Sequence, residues 1–182
     1  MQIDFREIYR LLDTVNPIDG DCGALCGAAC CKLDPDGELG MYLLPGEETA
    51  HDRSDPWLDW SEEPAGDYEL PASWTGSVYF VCCHGPAQCR REIRPIQCRT
   101  FPLAPHLTED GRFCVIIDNA ELPYACPLTE HYERLNEEFI LTTWRAWKLL
   151  LQDERIYDMV YADSRFREEC DPEYIIAYTE TP

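Results

Sequence analysis

Eleven cysteines in 182 residues constrain this chain more than any other feature. A thiol count that high implies disulfides, metal ligation or thiol chemistry. The spacing is uneven. Four thiols fall within residues 22–31, as Cys22-Gly-Ala-Leu-Cys26-Gly-Ala-Ala-Cys30-Cys31. A second group runs Cys82-Cys83-His84-Gly85-Pro86-Ala87-Gln88-Cys89 and continues to Cys98. Cys126 follows in Ala-Cys-Pro-Leu, while Cys114 and Cys170 stand apart. An odd count leaves one thiol over in any disulfide scheme. The N-terminus, MQIDFREIYRLLDT, is interrupted by charge every few residues and has no apolar run ending in small residues. No secretory leader is expected, and a cytoplasmic location follows, where thiols stay reduced. No stretch approaches the roughly 20 apolar residues of a membrane span.

Coordination suits the first cluster better than catalysis does. A nucleophilic thiol needs one cysteine beside a base, whereas four in so short a span point several sulfurs at one place. The intervening residues are glycine, alanine and leucine, and glycine lets a backbone turn tightly around an ion. On a helix, Cys22, Cys26 and Cys30 would share a face at i, i+4, i+8. Cys30 and Cys31 are adjacent and their side chains diverge, so one of them is expected at a second site or packed as an apolar residue. The interval from Cys89 to Cys98 lets a loop close on one metal. Thiolates select Zn²⁺, iron–sulfur clusters or Cu(I) over hard cations. Cys114, inside a hydrophobic run, is expected in the core, and Cys170 is expected to be a bystander. His84 is open as a further donor or a surface histidine. His51, His106 and His131 are not expected to be ligands.

The net charge of −20 narrows the partners. Nucleic-acid binding depends on Lys and Arg neutralising phosphates, so no nucleic-acid partner is expected, and no anionic membrane surface for the same reason. A docked protein with a basic face remains compatible with this charge. Four of the 15 basic residues nevertheless lie between 90 and 99: Arg90, Arg91, Arg94 and Arg99. Positive charge beside thiols lowers their pKa and stabilises an anionic metal–thiolate centre. Arg94 and Arg99 are expected to support the sulfurs in this way. For Arg90 and Arg91, pairing with surplus carboxylates is equally in order. Pro95 and Pro102 stiffen this loop.

At 45% hydrophobic and 12% aromatic, the chain can build a core. Residues 3–13 place Ile3, Ile8, Leu11 and Leu12 at helical spacing, with Pro17 and Gly20 as the stop. A turn at Asp34-Pro35-Asp36-Gly37 precedes a strand at Met41–Leu44, closed by Pro45-Gly46. Residues 47–70 hold nine Asp/Glu against Arg53 alone, interrupted by Trp57 and Trp60. They read as a solvated loop pinned by its tryptophans, or as a loop that attracts a partner or a cation. Strands are expected at 77–83 and 112–118. A helix is expected from 129, with Thr129 as N-cap, Glu130 and Glu133 in the first turn, and a stripe of Tyr132, Leu135, Phe139, Ala146 and Leu150 widened by Ile140, Trp144, Trp147 and Leu151. A second helix at 154–168 stops at Asp171-Pro172. The tail carries little chemistry. The expected architecture is α+β, one domain over 1–182, with a loop-rich cysteine region at 22–127 packed against a helical region at 129–168.

Two blocks then carry a resemblance. The first cluster with its terminal Cys30-Cys31 pair, and the run Cys89…Arg94-Pro95-x-x-Cys98-Arg99-x-Phe101-Pro102, resemble the YkgJ-like CxxCxxCC cysteine-cluster family of zinc- or iron-chelating proteins, and Cys126-Pro127 fits its trailing cysteine. The likeness covers roughly 22–127. Here the first block is spaced one residue wider at each step than the family norm, and Arg91 stands where the family has tyrosine. The resemblance implies Cys22, Cys26, Cys30, Cys31, Cys83, Cys89, Cys98 and Cys126 as ligands, with Cys82 a possible substitute for Cys83. Eight ligands suit two four-cysteine sites, or one site plus spare thiols.

The expected function is therefore metal binding, with zinc held by clustered thiolates in a structural or storage role. The alternative is a [4Fe–4S] protein acting in redox chemistry or, since some chains with this cluster resemble flagellin lysine methylases, in protein modification. No G-x-G-x-x-G, no Walker A motif and no catalytic triad pattern is present.

Overall fold

A computed structural model describes residues 3–32, 40–118, 120, 122–170 and 172–180. The expected turn at 34–37 and the Asp171 stop lie outside these residues. In chain order the elements are α1 (Phe5–Leu12), α2 (Gly23–Cys26), β1 (Met41–Tyr42), β2 (Leu58–Pro64), β3 (Ser77–Cys83), α3 (Ile96–Thr100), β4 (Leu103–Leu107), β5 (Phe113–Ile117), α4 (Pro127–Glu130), α5 (Glu137–Leu150), α6 (Glu154–Cys170) and β6 (Ile176–Thr179). The class is α+β, with two antiparallel three-stranded sheets of order β1-β3-β2 and β4-β5-β6. Among the described residues, no helix is long and apolar enough to cross a membrane.

The carboxylate of Asp4 caps α1 by accepting the backbone N–H groups of Arg6 and Glu7 at 3.0 and 3.4 Å, satisfying donors that a helix start leaves orphaned. Phe5, Ile8, Tyr9 and Leu12 form its buried stripe and join Ile96 of α3, Ala146, Trp147 and Leu150 of α5, and Ile156 and Val160 of α6 in the main core. Burying one such side chain is worth about 1.5–3 kcal/mol. The helix ends at Leu12, well ahead of Pro17.

The long helix does not begin at 129. Pro127–Glu130 make one turn, Tyr132–Arg134 make a 3₁₀ turn, and α5 starts only at Glu137. Thr129 is not the cap, because its hydroxyl donates to the Cys126 carbonyl at 2.8 Å. Tyr132 falls outside the stripe and is exposed. Asn136 precedes α5 and ties residues 16–17 to it: its backbone N–H donates to the Pro17 carbonyl at 2.8 Å, and its side chain donates to the Asn16 carbonyl at 3.2 Å.

Both sheets contain strands the sequence concealed. The acidic stretch is not a loop throughout. β2 pairs along its whole length with β3, from Leu58 opposite Cys83 to Pro64 opposite Ser77, and Trp57 and Leu58 are buried. The charges of β2 occupy its solvent-facing positions, so composition hid the strand. β4 contains Pro105 yet pairs with β5, Leu103 opposite Ile117 and Leu107 opposite Phe113. Proline is tolerated there because β4 is an edge strand. The tail supplies the other edge: β6 pairs with β5 across a bulge at Val115/Ile116. The expected strand at Met41–Leu44 shortens to β1, two residues long. Gly40 lies so close to β3 that a Cβ would come within 2.5 Å of the Phe80 ring and the Val81 carbonyl. Only glycine lets β1 enter the sheet at this point.

Candidate metal centre

All eleven cysteines are free thiols. The first cluster is not one helix. Its helical part stops at Cys26, where Gly27 and then Ala28 adopt left-handed backbone, φ 63° and 57°, before a 3₁₀ turn over Ala29–Cys31. Ala28 pays the steric penalty that a Cβ meets in this region, about 1–2 kcal/mol. The reversal removes the i, i+4, i+8 face. Gly85 (φ 87°) brings the second segment alongside, its missing Cβ lying 3.7 Å from the Cys31 carbonyl.

Packing sorts the thiols into two groups. Cys22 and Cys126 lie against one core cluster formed by Leu103, Ile117, Leu128, Leu135 and Phe139. Burial pushes both thiols up, and each also feels Cys26. Cys83 and Cys89 lie against a different cluster, built on Leu43, Trp57, Leu58 and Val81. Burial also drives the thiols of Cys89 and Cys98 up, each opposed by Arg94 and reinforced by Cys31 and Cys83. Cys31 is a special case. It shares a hydrogen bond with Cys30, the sulfurs 3.8 Å apart, and this contact, aided by Arg94 and Arg91, brings it down to about 6 while burial resists. The same contact pushes Cys30 up.

Strand geometry separates Cys83 from Cys82. Alternate residues of β3 share a face, so Cys83 sides with Val81 and with Met41, which stands opposite Val81. Cys82 points to the other face, opposite Asp59. Cys114 is buried in β5 and donates to the His106 carbonyl at 3.6 Å, while Cys170 is exposed. His84 pairs with Asp59 at 2.8 Å.

The two arginines part company. Arg94 lies in the field of Cys22, Cys31, Cys89 and Cys98, lowering each, and its Nε is buried with no hydrogen-bond partner. Arg99 has its hydrogen bonds on oxygen. It donates to the carbonyls of Arg94, Arg91 and Tyr9 at 2.6, 2.9 and 3.3 Å and to the Asp13 carboxylate, and it stacks 4.4 Å from the Tyr9 ring. It fixes the backbone that carries Arg94 and Cys98. Arg90 pairs with Asp55 and Glu92.

Beneath this loop lies a residue that the sequence did not single out. Glu47 is completely buried. Its carboxylate accepts the Tyr9 hydroxyl at 2.7 Å, the Ile96 N–H at 2.7 Å and the Leu44 N–H at 2.9 Å. Burial pushes its pKa up against these three donors. Because Ile96 opens α3, Glu47 caps from far away the helix that carries Cys98. One glutamate among nine acidic residues in an acidic stretch carries no mark that could have revealed this.

Among the described residues, no three or more of His, Cys, Asp and Glu stand close enough, as set, to hold a metal ion. The thiols share a neighbourhood and an electrostatic field without closing a coordination shell.

No family model, no curated protein and no solved structure matches the chain.

Beside Cys126 an open cleft of about 310 Å³ is bordered by Asp118, Tyr124, Glu130, Glu173 and Tyr174. Its carboxylates give it the sign that draws cations inward.

Proposed function

We propose that this protein binds metal through clustered cysteine thiolates, with zinc as the ion, in the manner implied by its resemblance to the YkgJ-like cysteine-cluster proteins. One observation carries the proposal. Free thiols from four separate segments, Cys22 to Cys31, Cys83 to Cys89, Cys98 and Cys126, lie in one another's electrostatic field, and Cys22, Cys31, Cys89 and Cys98 also lie in that of the Arg94 guanidinium. Clustered thiols raise one another's pKa. A cation removes that repulsion and makes proton loss favourable, so metal uptake releases protons. Arg94 supplies part of the same charge in advance. The ligands put forward are Cys22, Cys26, Cys30, Cys31, Cys83, Cys89, Cys98 and Cys126. Loading requires the side chains to turn inward by rotamer changes, and the acidic cleft beside Cys126 offers a cation an approach.

The test is metal content. Protein produced with zinc and iron available, purified anaerobically and kept reduced, is expected to carry at least about one equivalent of zinc by elemental mass spectrometry. Less than one equivalent of zinc plus iron overturns the proposal. A brown protein absorbing near about 400 nm would instead assign the thiols to an iron–sulfur centre.

A further inference from the structure

Two pairs of sulfur atoms are in contact among the described residues. One is the adjacent pair Cys30 and Cys31. The other spans 57 positions of sequence: the Cys98 thiol donates to the thioether of Met41 at 3.1 Å. Three further features hold the second pair in place. Gln97, the neighbour of Cys98 on α3, donates to the carbonyl of Tyr42, the neighbour of Met41 on β1, at 3.1 Å. Gly40 lets β1 sit against β3. Glu47 fixes the start of α3 through Ile96. The same core cluster then supplies more sulfur. Met41, Cys83 and Cys89 all pack against Leu43, Trp57, Leu58 and Val81.

We infer that Met41 and Cys98 form a two-sulfur subsite for monovalent copper, with Cys83 and Cys89 as further sulfurs on the same core cluster. The inference rests on reading these thiols as metal donors, and goes beyond it by naming a ligand that is not a cysteine and an ion that is not zinc. The donor chemistry favours this ion. Zinc draws its protein ligands from Cys, His, Asp and Glu, so a thioether adds nothing to a zinc shell. Thioether with thiolate is a soft set that selects Cu(I). A monovalent ion of this kind is also satisfied by about two or three soft donors, so it does not need the closed shell that the cysteines alone fail to make. Uptake is a simple exchange. The Cys98 thiol loses its proton to water, the thiolate and the Met41 thioether sulfur donate to Cu(I), and nothing is oxidised. Met41 otherwise occupies a half-buried position that leucine would fill equally well.

The decisive variant is Met41→Leu, which conserves volume and is expected to keep the fold. Reduced, anaerobic protein is titrated with Cu(I) in competition with a chromogenic Cu(I) chelator, and separately with zinc in competition with a zinc indicator. Met41→Leu is expected to lower Cu(I) affinity about tenfold or more and to leave zinc affinity within about twofold. Cu(I) affinity unchanged within twofold in the variant overturns the inference. A second measurement is independent of any loss of fold. Selenomethionine protein loaded with Cu(I) is expected to show a copper–selenium vector in X-ray absorption, absent from the Met41→Leu form, and its absence from the parent protein also overturns the inference. Zinc binding with no copper–selenium contact defeats the copper subsite alone. Failure to bind either ion defeats the thiolate reading itself.

Discussion

The surroundings of Glu47 and those of the thiols meet at the same short helix and are built on opposite rules. Around Glu47, both carboxylate oxygens are engaged, and Arg99 places its nitrogens on three carbonyls and Asp13. Around the thiols, sulfur meets sulfur at two places among the described residues, and the Nε of Arg94 has no hydrogen-bond partner there. A saturated polar network has one low-energy arrangement, because every group moved leaves another unpaired in a medium where that is costly. Unsaturated sulfurs keep their rotamer freedom. The protein fixes the backbone and leaves the donors adjustable, a division that suits a site completed by an ion taken up afterwards.

The comparison breaks most visibly at Glu47. Replacing it with leucine leaves the N–H groups of Leu44 and Ile96 buried without an acceptor and the Tyr9 hydroxyl with only the His51 ring. At about 1–3 kcal/mol for each such group, less some relaxation, a loss of about 3–5 kcal/mol is expected. Chemical denaturation of metal-free protein measures it. Cys26→Ser, on the adjustable side, is expected to move the same midpoint by no more than about 0.5 kcal/mol. A large effect at Cys26 and a small one at Glu47 would invert the proposed division.

How much of this could be read in the sequence follows the same line. Periodicity found α1, β3, β5 and α6 because those segments bury one stripe or one continuous run. It missed β2, where Leu58 is followed by Asp59, Trp60, Ser61, Glu62 and Glu63 and acidic composition masks a strand whose alternation is weak. It missed β4 because Pro105 and His106 look like turn and surface, though His106 is fully buried against Glu168, Arg167 and the Tyr174 ring. It placed the start of α5 too early because nothing local shows that Asn136 is occupied by the loop at 16–17. In the candidate site, the cysteines announce themselves by type and spacing. Their sorting into two groups does not, since it depends on which core cluster each segment packs against. Met41 and Glu47 are invisible for a simpler reason: their partners lie 57 and 49 positions away.

Acid sharpens the comparison next. His51 lies at the edge of the saturated network, its Nε2 2.9 Å from the Tyr9 hydroxyl and its Nδ1 buried without a partner. Burial, with Arg99 adding repulsion, lowers it from 6.5 to about 4. The folded chain therefore prefers the neutral ring. That preference contributes its full stability above pH 6.5 and is lost as pH falls from there to about 4. Glu47 acts in the other direction: its raised carboxyl favours the folded state at low pH and forfeits this as pH rises through its folded value. As pH falls from 6.5 toward about 4 the histidine alone contributes a loss of about 1–2 kcal/mol after allowing for its partial exposure, and Glu47 opposes it. In His51→Gln, denaturation midpoints across this window should flatten. An unchanged slope would move the acid sensitivity elsewhere, the thiol face included.

The smallest effect belongs to His84, and it decides where the thiol face ends. His84 follows Cys83, and spacing alone allows it as a donor beside that thiol. Its ring instead reaches the exposed Asp59 at 2.8 Å, on the side of the strand where Cys82 points. A pair this open to water contributes little, so His84→Ala is expected to change stability by no more than about 0.5 kcal/mol. It is also expected to leave zinc affinity within about twofold, whereas loss of a true ligand costs far more. Side-by-side zinc competition with Cys83→Ser separates the two residues. Equal losses for both would bring His84 into the coordination set and would mean that β3 rotates its end on metal uptake, so that the adjustable region extends into the sheet.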